Sequence, residues 1–186
     1  MTIQDRLPPG RYKLRVEDYL LLDEAGAFGD ARTELIDGEI VIMNAEYRPH
    51  AWIKGELSYR LRRMLEQLGS DLHAMDGSVD LSDHDMPLPD IVLTDEPRGS
   101  GAIPLTSVAL IVEVSSTTLR NDLGRKGEAY AGAGIAEYWV ADVNARVIHQ
   151  MWEPIDDAYT KSRVVAFGEV LQATTIDGLA IDTGAL

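Results

Sequence analysis

Residues 108–115, Val-Ala-Leu-Ile-Val-Glu-Val-Ser, constrain what this chain can fold into more than any other stretch. A short, unbroken apolar run with β-branched residues is the pattern of a strand covered on both faces. Glu113 interrupts that run. A second run of the same kind, Ile91-Val92-Leu93-Thr94, follows directly on Pro87-Leu88-Pro89-Asp90. A buried carboxylate without a partner carries a large desolvation cost. An acid at each of two interior strands therefore calls for a cation or a catalytic task that compensates. Further along, Asp122, Lys126 and Tyr130 are spaced i, i+4, i+8 and share one face of a predicted helix. Two acids and a lysine are the minimal kit for metal-assisted hydrolysis of a phosphodiester. The acids hold a hard cation through oxygen, and the cation acidifies a bound water and polarises the phosphoryl oxygen. The lysine adds positive charge near the attacking water or the developing phosphorane.

Length and composition set the frame for that kit. At 186 residues, one domain spanning 1–186 is expected, with a Pro-rich leader over residues 1–12 read as flexible. Hydrophobic content of 45% and charged content of 26% are ordinary for a soluble globular protein. The chain has no cysteine, which excludes disulfides and thiolate metal sites, so any metal is held by oxygen or imidazole. Neither a signal-peptide core nor an apolar run near membrane-spanning length occurs, so a cytoplasmic protein without a membrane partner is expected. The net charge of -14 argues against indiscriminate binding to nucleic acid. That charge is unevenly placed. Residues 76–96 hold seven acids and no lysine or arginine, whereas residues 48–63 hold five basic residues against Glu56 alone.

The order of elements reads as mixed α/β. Val16 to Glu24 is a predicted helix, and Glu34 to Met43 is a hairpin turning at Asp37-Gly38, where both positions need φ > 0. His50 to Leu68 is a predicted helix with Ile53, Leu57, Leu61 and Leu65 at helical spacing and Gly69 as its C-cap. Its other face carries Lys54, Arg60 and Arg63, a candidate nucleic-acid contact. Leu72 to Met75 and Ser78 to Leu81 read as strands around a turn at Asp76-Gly77. Asp90 to Thr94 and Ala109 to Ser115 follow as strands. A helix over Leu119 to Ala133 comes next, with an N-cap offered by Ser116-Thr117-Thr118. Glu137 to Asp142, Arg146 to Trp152 and Lys161 to Phe167 are predicted strands, and Gly168 to Leu171 is expected to complete the sheet.

Each candidate has a plain structural alternative. Lys126 and Asp122 could form an ordinary i,i+4 salt bridge on a solvated face. Asp90 could be a turn residue that starts its strand. Glu113 could be held by a buried arginine, although acids are depleted from apolar strands. Glu34 and Glu39 flank the hairpin turn, where exposed acids are common. Among the histidines none pairs at metal spacing: His73 and His149 suit hydrogen-bonded structural roles, and His50 suits a helix start.

Glu34-Leu35-Ile36-Asp37-Gly38-Glu39, His50, Pro89-Asp90, Val112-Glu113-Val114-Ser115, Asp122-x-x-x-Lys126-x-x-x-Tyr130 and Glu137-Tyr138-Trp139-Val140-Ala141-Asp142 occur in that order. This series resembles the Uma-type family of restriction endonucleases, long classed as a domain of unknown function, within the PD-(D/E)XK nuclease superfamily. The resemblance runs from about Val16 to the C-terminus. It implies a restriction-endonuclease-like fold, a mixed central sheet flanked by helices with an N-terminal hairpin and additional C-terminal antiparallel strands. It also implies Mg²⁺ or Mn²⁺ held by Asp90, Glu113 and the carbonyl of Val114. The superfamily lysine usually stands two residues after the strand acid, where this chain has Ser115. Lys126 on the following helix is the replacement that the resemblance suggests, with Glu34, His50 and Asp122 as auxiliary residues. The implied partner is nucleic acid, DNA first, and the implied assembly a homodimer. Two alternatives stand beside a metal-dependent endonuclease: a catalytically silent binding or assembly module, and an acid cluster at 76–96 that serves a protein interface.

Overall fold

The computed structural model describes residues 10–186. In chain order it contains α1 (Val16–Glu24), the strands β1 (Thr33–Ile36) and β2 (Glu39–Ile42), and the long α2 (Arg48–Leu68). Four short strands follow, β3 (His73–Met75), β4 (Val79–Asp80), β5 (Ile91–Thr94) and β6 (Ile103–Pro104), and then the longer β7 (Val108–Ser115). A helical segment runs through α3 (Leu119–Asn121), a π-helical turn (Asp122–Lys126) and α4 (Gly127–Gly132). The chain continues with β8 (Glu137–Asp142), β9 (Val147–Ile155), β10 (Ala158–Ala166), β11 (Val170–Gln172) and β12 (Ala180–Asp182).

Six strands make the central sheet, in the spatial order β10-β9-β8-β7-β5-β3. β7 and β8 are parallel, because the helical segment carries the chain back across the sheet between them. The other neighbours in this sheet are antiparallel. Side chains alternate across a strand, so β7 serves two cores at once. Leu110, Val112 and Val114 pack with Ile53, Leu57, Leu61 and Leu65 of α2. Ile111 packs on the opposite side with Tyr130, Ile135 and Tyr138. By the same parity Glu113 falls on that second side, under the helical segment.

The turn at Asp37-Gly38 and the C-cap at Gly69 form as expected. Asp37 (φ 51) and Gly38 (φ 70) both sit in the left-handed region, and Ile36 pairs with Glu39 across the two-residue turn. Gly69 ends α2 at φ 63, ψ 32. Leu35 locks the hairpin to the body, exchanging backbone hydrogen bonds with Met86 and packing against Tyr19.

Several expectations change. The turn at Asp76-Gly77 makes no hairpin: β3 pairs with β5, and β4 pairs in parallel with β6. Gly168 to Leu171 does not complete the central sheet; β11 pairs with β12 in a separate two-stranded sheet. The Thr118 hydroxyl does not cap the helix N-terminus but donates to Asp122 Oδ2 at 2.6 Å. His149 Nε2 is buried and, among the described residues, without a hydrogen-bond partner, while His73 is exposed. The leader expected over residues 1–12 lies outside the described residues as far as residue 9. No helix among the described residues is long and apolar enough to cross a membrane.

Candidate active site

Five separate elements deliver polar side chains to one cavity of about 210 Å³. β1 supplies Glu34, the start of α2 supplies His50, and the residue before β5 is Asp90. β7 supplies Glu113, and the π-helical turn supplies Asp122 and Lys126. Glu34, Asp90, Glu113, Asp122 and Lys126 are all buried. The exposed strand-end reading of Glu34 is therefore corrected, and it applies to Glu39 alone.

Lys126 is the centre of the arrangement. Its Nζ lies 2.9 Å from Glu113 Oε1 and 2.9 Å from Glu34 Oε2. Tyr130 donates to the same Glu113 oxygen at 2.8 Å. Both contacts fall on Oε1, so Glu113 Oε2 makes no hydrogen bond among the described residues. Glu34 Oε2 in turn accepts the backbone N–H of Leu88 at 3.2 Å. The expected alternative, an i,i+4 pair between Asp122 and Lys126, does not form. Four residues of α-helix overshoot one turn by about 40°, whereas the wider π turn undershoots it. One π turn followed by α-helix thus keeps Asp122, Lys126 and Tyr130 on one line facing the sheet. The Asp122 carbonyl accepts the Gly127 N–H that closes the π turn and also the Tyr138 hydroxyl at 3.0 Å.

Asp90 is held from three sides. Its Oδ2 accepts the N–H of Val114 at 2.8 Å and lies 3.2 Å from His50 Nε2. Its Oδ1 lies 3.3 Å from Lys54 Nζ. Lys54, expected on an exposed basic face, is instead turned inward, with Glu46 Oε1 also at 3.3 Å. Arg60 and Arg63 do not join it: they line a different groove beside β12, where Arg60 is tied to Glu56 and to the backbone carbonyl of Asp182.

Charges are crowded here, and protonation follows. Burial pushes the Glu113 carboxyl up to about 8; Lys126 pulls it down, while Asp90, Asp122 and Glu34 push it further up. Burial also raises Asp122. For Lys126, burial opposes the ammonium form, but Glu113 and Glu34 outweigh it and keep the side chain protonated. Burial works to raise Asp90, yet the His50 hydrogen bond, the Val114 N–H and Lys54 together hold it below the usual carboxylate range. The same hydrogen bond raises His50.

Glu46 is the site residue that sequence reasoning missed. Glu46, His50 and Asp90 each offer one ligand atom, all within 4.8 Å of one another. Glu46 lies in the loop before α2, so helical spacing gave no signal for this pairing. His50 Nδ1 is buried and, among the described residues, has no hydrogen-bond partner.

A mixed sheet whose central strand and neighbouring strand bring acids to one cavity, between flanking helices, is the architecture of restriction-endonuclease-like proteins. The chain matches the Uma2 family, described as "Putative restriction endonuclease", over residues 16–184, and it belongs to that family. It is similar in fold to a crystal structure described as "a putative nuclease belonging to DUF820 from Anabaena variabilis ATCC 29413". That likeness has a TM-score of 0.70 at 15% sequence identity, over 91% of this chain and 95% of the other. NucC of E. coli MS115-1 in its cAAA-bound form overlaps 47% of this chain and 52% of its own, at 14% identity and a TM-score of 0.29, too low to carry an argument. No curated protein matches the chain.

Proposed function

We propose that this chain is a Mg²⁺- or Mn²⁺-dependent endonuclease that hydrolyses phosphodiester bonds, with DNA as the first substrate to test. The observation that supports it is the convergence of Asp90, Glu113 and Lys126, from separate elements and each buried, on one cavity. The donor set suits a divalent cation, since it is built of carboxylate oxygen and imidazole. Five carboxyls, Glu34, Glu46, Asp90, Glu113 and Asp122, line the cavity with one lysine among its lining residues, so added positive charge would relieve the crowding. Asp90, Glu113 and the Val114 carbonyl would hold the ion, with Glu46 and His50 as further donors beside Asp90. When bound, the ion supplies Lewis acidity and lowers the pKa of water. Lys126, fixed between two carboxylates, stabilises negative charge on the attacked phosphate. Its place on the helix stands in for the strand position that Ser115 occupies. The reading includes a homodimer, for which the exposed edge strand β10 offers a pairing edge.

Calorimetric titration with Mn²⁺ tests the reading, comparing the wild type with Asp90→Ala and Glu113→Gln. Saturable binding by the wild type that is lost or weakened in both variants is expected, followed by cleavage that Lys126→Ala abolishes. An absence of binding by the wild type at protein concentrations that register millimolar affinity would overturn it. That outcome would favour a catalytically silent module of the same fold.

A further inference from the structure

We propose that the cavity takes a single-stranded nucleic-acid segment, with Arg120 holding the phosphate next to the one attacked and Tyr47 stacking on the adjoining base. The proposal rests on the nuclease reading above and specifies its substrate. A groove of about 560 Å³ is lined by Thr117, Thr118, Arg120, Asn121, Gly124 and Arg125. Thr117, Thr118 and Asn121 also line the acidic cavity, so the groove adjoins it. No acid lines the groove, in a chain whose net charge is -14. Arg125 is tied to the hairpin, at 3.0 Å from Glu39 Oε2 and by a hydrogen bond to the Ile36 carbonyl. Arg120 is exposed and, among the described residues, makes no ion pair or hydrogen bond, which leaves it free for a phosphate. The hydroxyl of Thr117 stands beside it as a neutral donor.

The other wall of the cavity differs in kind. It is formed by the end of β2 and the loop that leads to α2, where Ile42 is 69% exposed and Tyr47 72% exposed. A cationic groove that tracks the backbone, next to an aromatic side chain that receives a base, is the pattern that binds single strands. A duplex keeps its bases in the stack, and bringing one to Tyr47 requires unpairing it at a cost. A duplex also carries one negative charge per about 1.7 Å of axis, twice that of one strand, and meets more repulsion from an acidic surface. Both arguments select the single strand.

Fluorescence anisotropy with one labelled oligonucleotide, as a single strand and annealed to its complement, tests this on the wild type, Arg120→Ala, Tyr47→Ala and Tyr47→Phe. Single strands of DNA and of RNA are both titrated, and tight binding of either supports the proposal. The wild type is expected to bind the single strand at least about 10-fold more tightly than the duplex. Arg120→Ala should weaken binding and reduce the slope of log K against log salt by about 0.7, the loss of one phosphate contact. Tyr47→Ala should lose about 10-fold in affinity, and Tyr47→Phe should retain it, because stacking needs the ring and not the hydroxyl. Equal or tighter duplex binding, or an unchanged affinity and salt slope in Arg120→Ala, overturns this proposal and leaves the nuclease reading standing. No binding of any strand by the wild type overturns both.

Discussion

Glu137→Gln is the substitution whose cost can be worked most directly from the structure. Glu137 is fully buried at the start of β8. Its Oε1 accepts from Trp139 Nε1 at 2.6 Å and from the Gln150 amide. Its Oε2 accepts the backbone N–H groups of Thr174 and Thr175 at 2.8 and 2.9 Å, and their hydroxyls at 3.0 and 2.8 Å. The carboxylate thus ties the central sheet to the chain between β11 and β12. A glutamine must place its NH₂ against one of these donor pairs. Turned toward Thr174 and Thr175 it strands two backbone N–H groups; turned toward Trp139 it strands the indole N–H. Each stranded buried donor costs about 1–3 kcal/mol, and the remaining bonds lose charge assistance. A total of about 3 kcal/mol follows. Equilibrium urea unfolding should show it as a midpoint about 1–3 M lower with an unchanged slope, for slopes of about 1–3 kcal/mol/M. The gap should also depend on pH. Burial works to raise Glu137, but the hydrogen bonds from Trp139, Gln150 and Thr175 outweigh it and hold its pKa below the ordinary glutamate value. A depressed folded pKa contributes stability above the unfolded pKa, about 4.3, and that stability is lost as pH falls through the folded value. The two proteins should therefore converge below about pH 4. A neutral-pH difference under about 1 kcal/mol, or a gap that widens in acid, would refute the assigned role of these six hydrogen bonds.

Three further outcomes are expected. Lys126→Met leaves Glu34 and Glu113 buried without their cation and should cost about 3–5 kcal/mol of stability, with Mn²⁺ restoring more of the thermal midpoint in the variant than in the wild type. Because the folded pKa of Glu113 is raised to about 8, the wild type loses stability as pH rises from the unfolded value of about 4.3 through that point. Glu113→Gln should escape this loss, so urea unfolding in EDTA should show the variant gaining on the wild type between about pH 5 and pH 8. Gly38→Ala combines a φ of +70 with a Cβ placed 2.6 Å from Lys13 Cβ; a loss of about 1–3 kcal/mol by thermal unfolding is expected.

Legibility in the sequence tracks how local the cause is. Asp37-Gly38 specifies its turn within two residues, and α2 is written in the spacing of Ile53, Leu57, Leu61 and Leu65, with Gly69 closing it. Glu113 stood out because an acid inside an apolar strand violates burial unless something compensates. Lys126 could be placed on a helix face, but spacing alone favoured a solvated salt bridge. The Asp76-Gly77 turn misled for the same reason that Asp37-Gly38 did not. Both carry turn chemistry, but the partners of β3 and β4 are β5 and β6, and non-local pairing decides which strands meet.

What the sequence by itself supplied is most of the elements and their order, without β6 and β12, the family resemblance, and Asp90, Glu113 and Lys126 as candidates. What only the tertiary structure decided is which charges share a space. Glu34 becomes buried because β1 docks on the segment before Asp90 and meets Lys126 from far along the chain. Lys54 turns inward to Asp90 and Glu46, and Glu137 gathers donors from β9 and from the turn after β11. The π turn that aligns Asp122, Lys126 and Tyr130 also has no marker in the residues themselves. A side chain's partners are set by packing across elements, and the energy of a charge depends on those partners and on its burial, neither of which is a property of its neighbours in sequence.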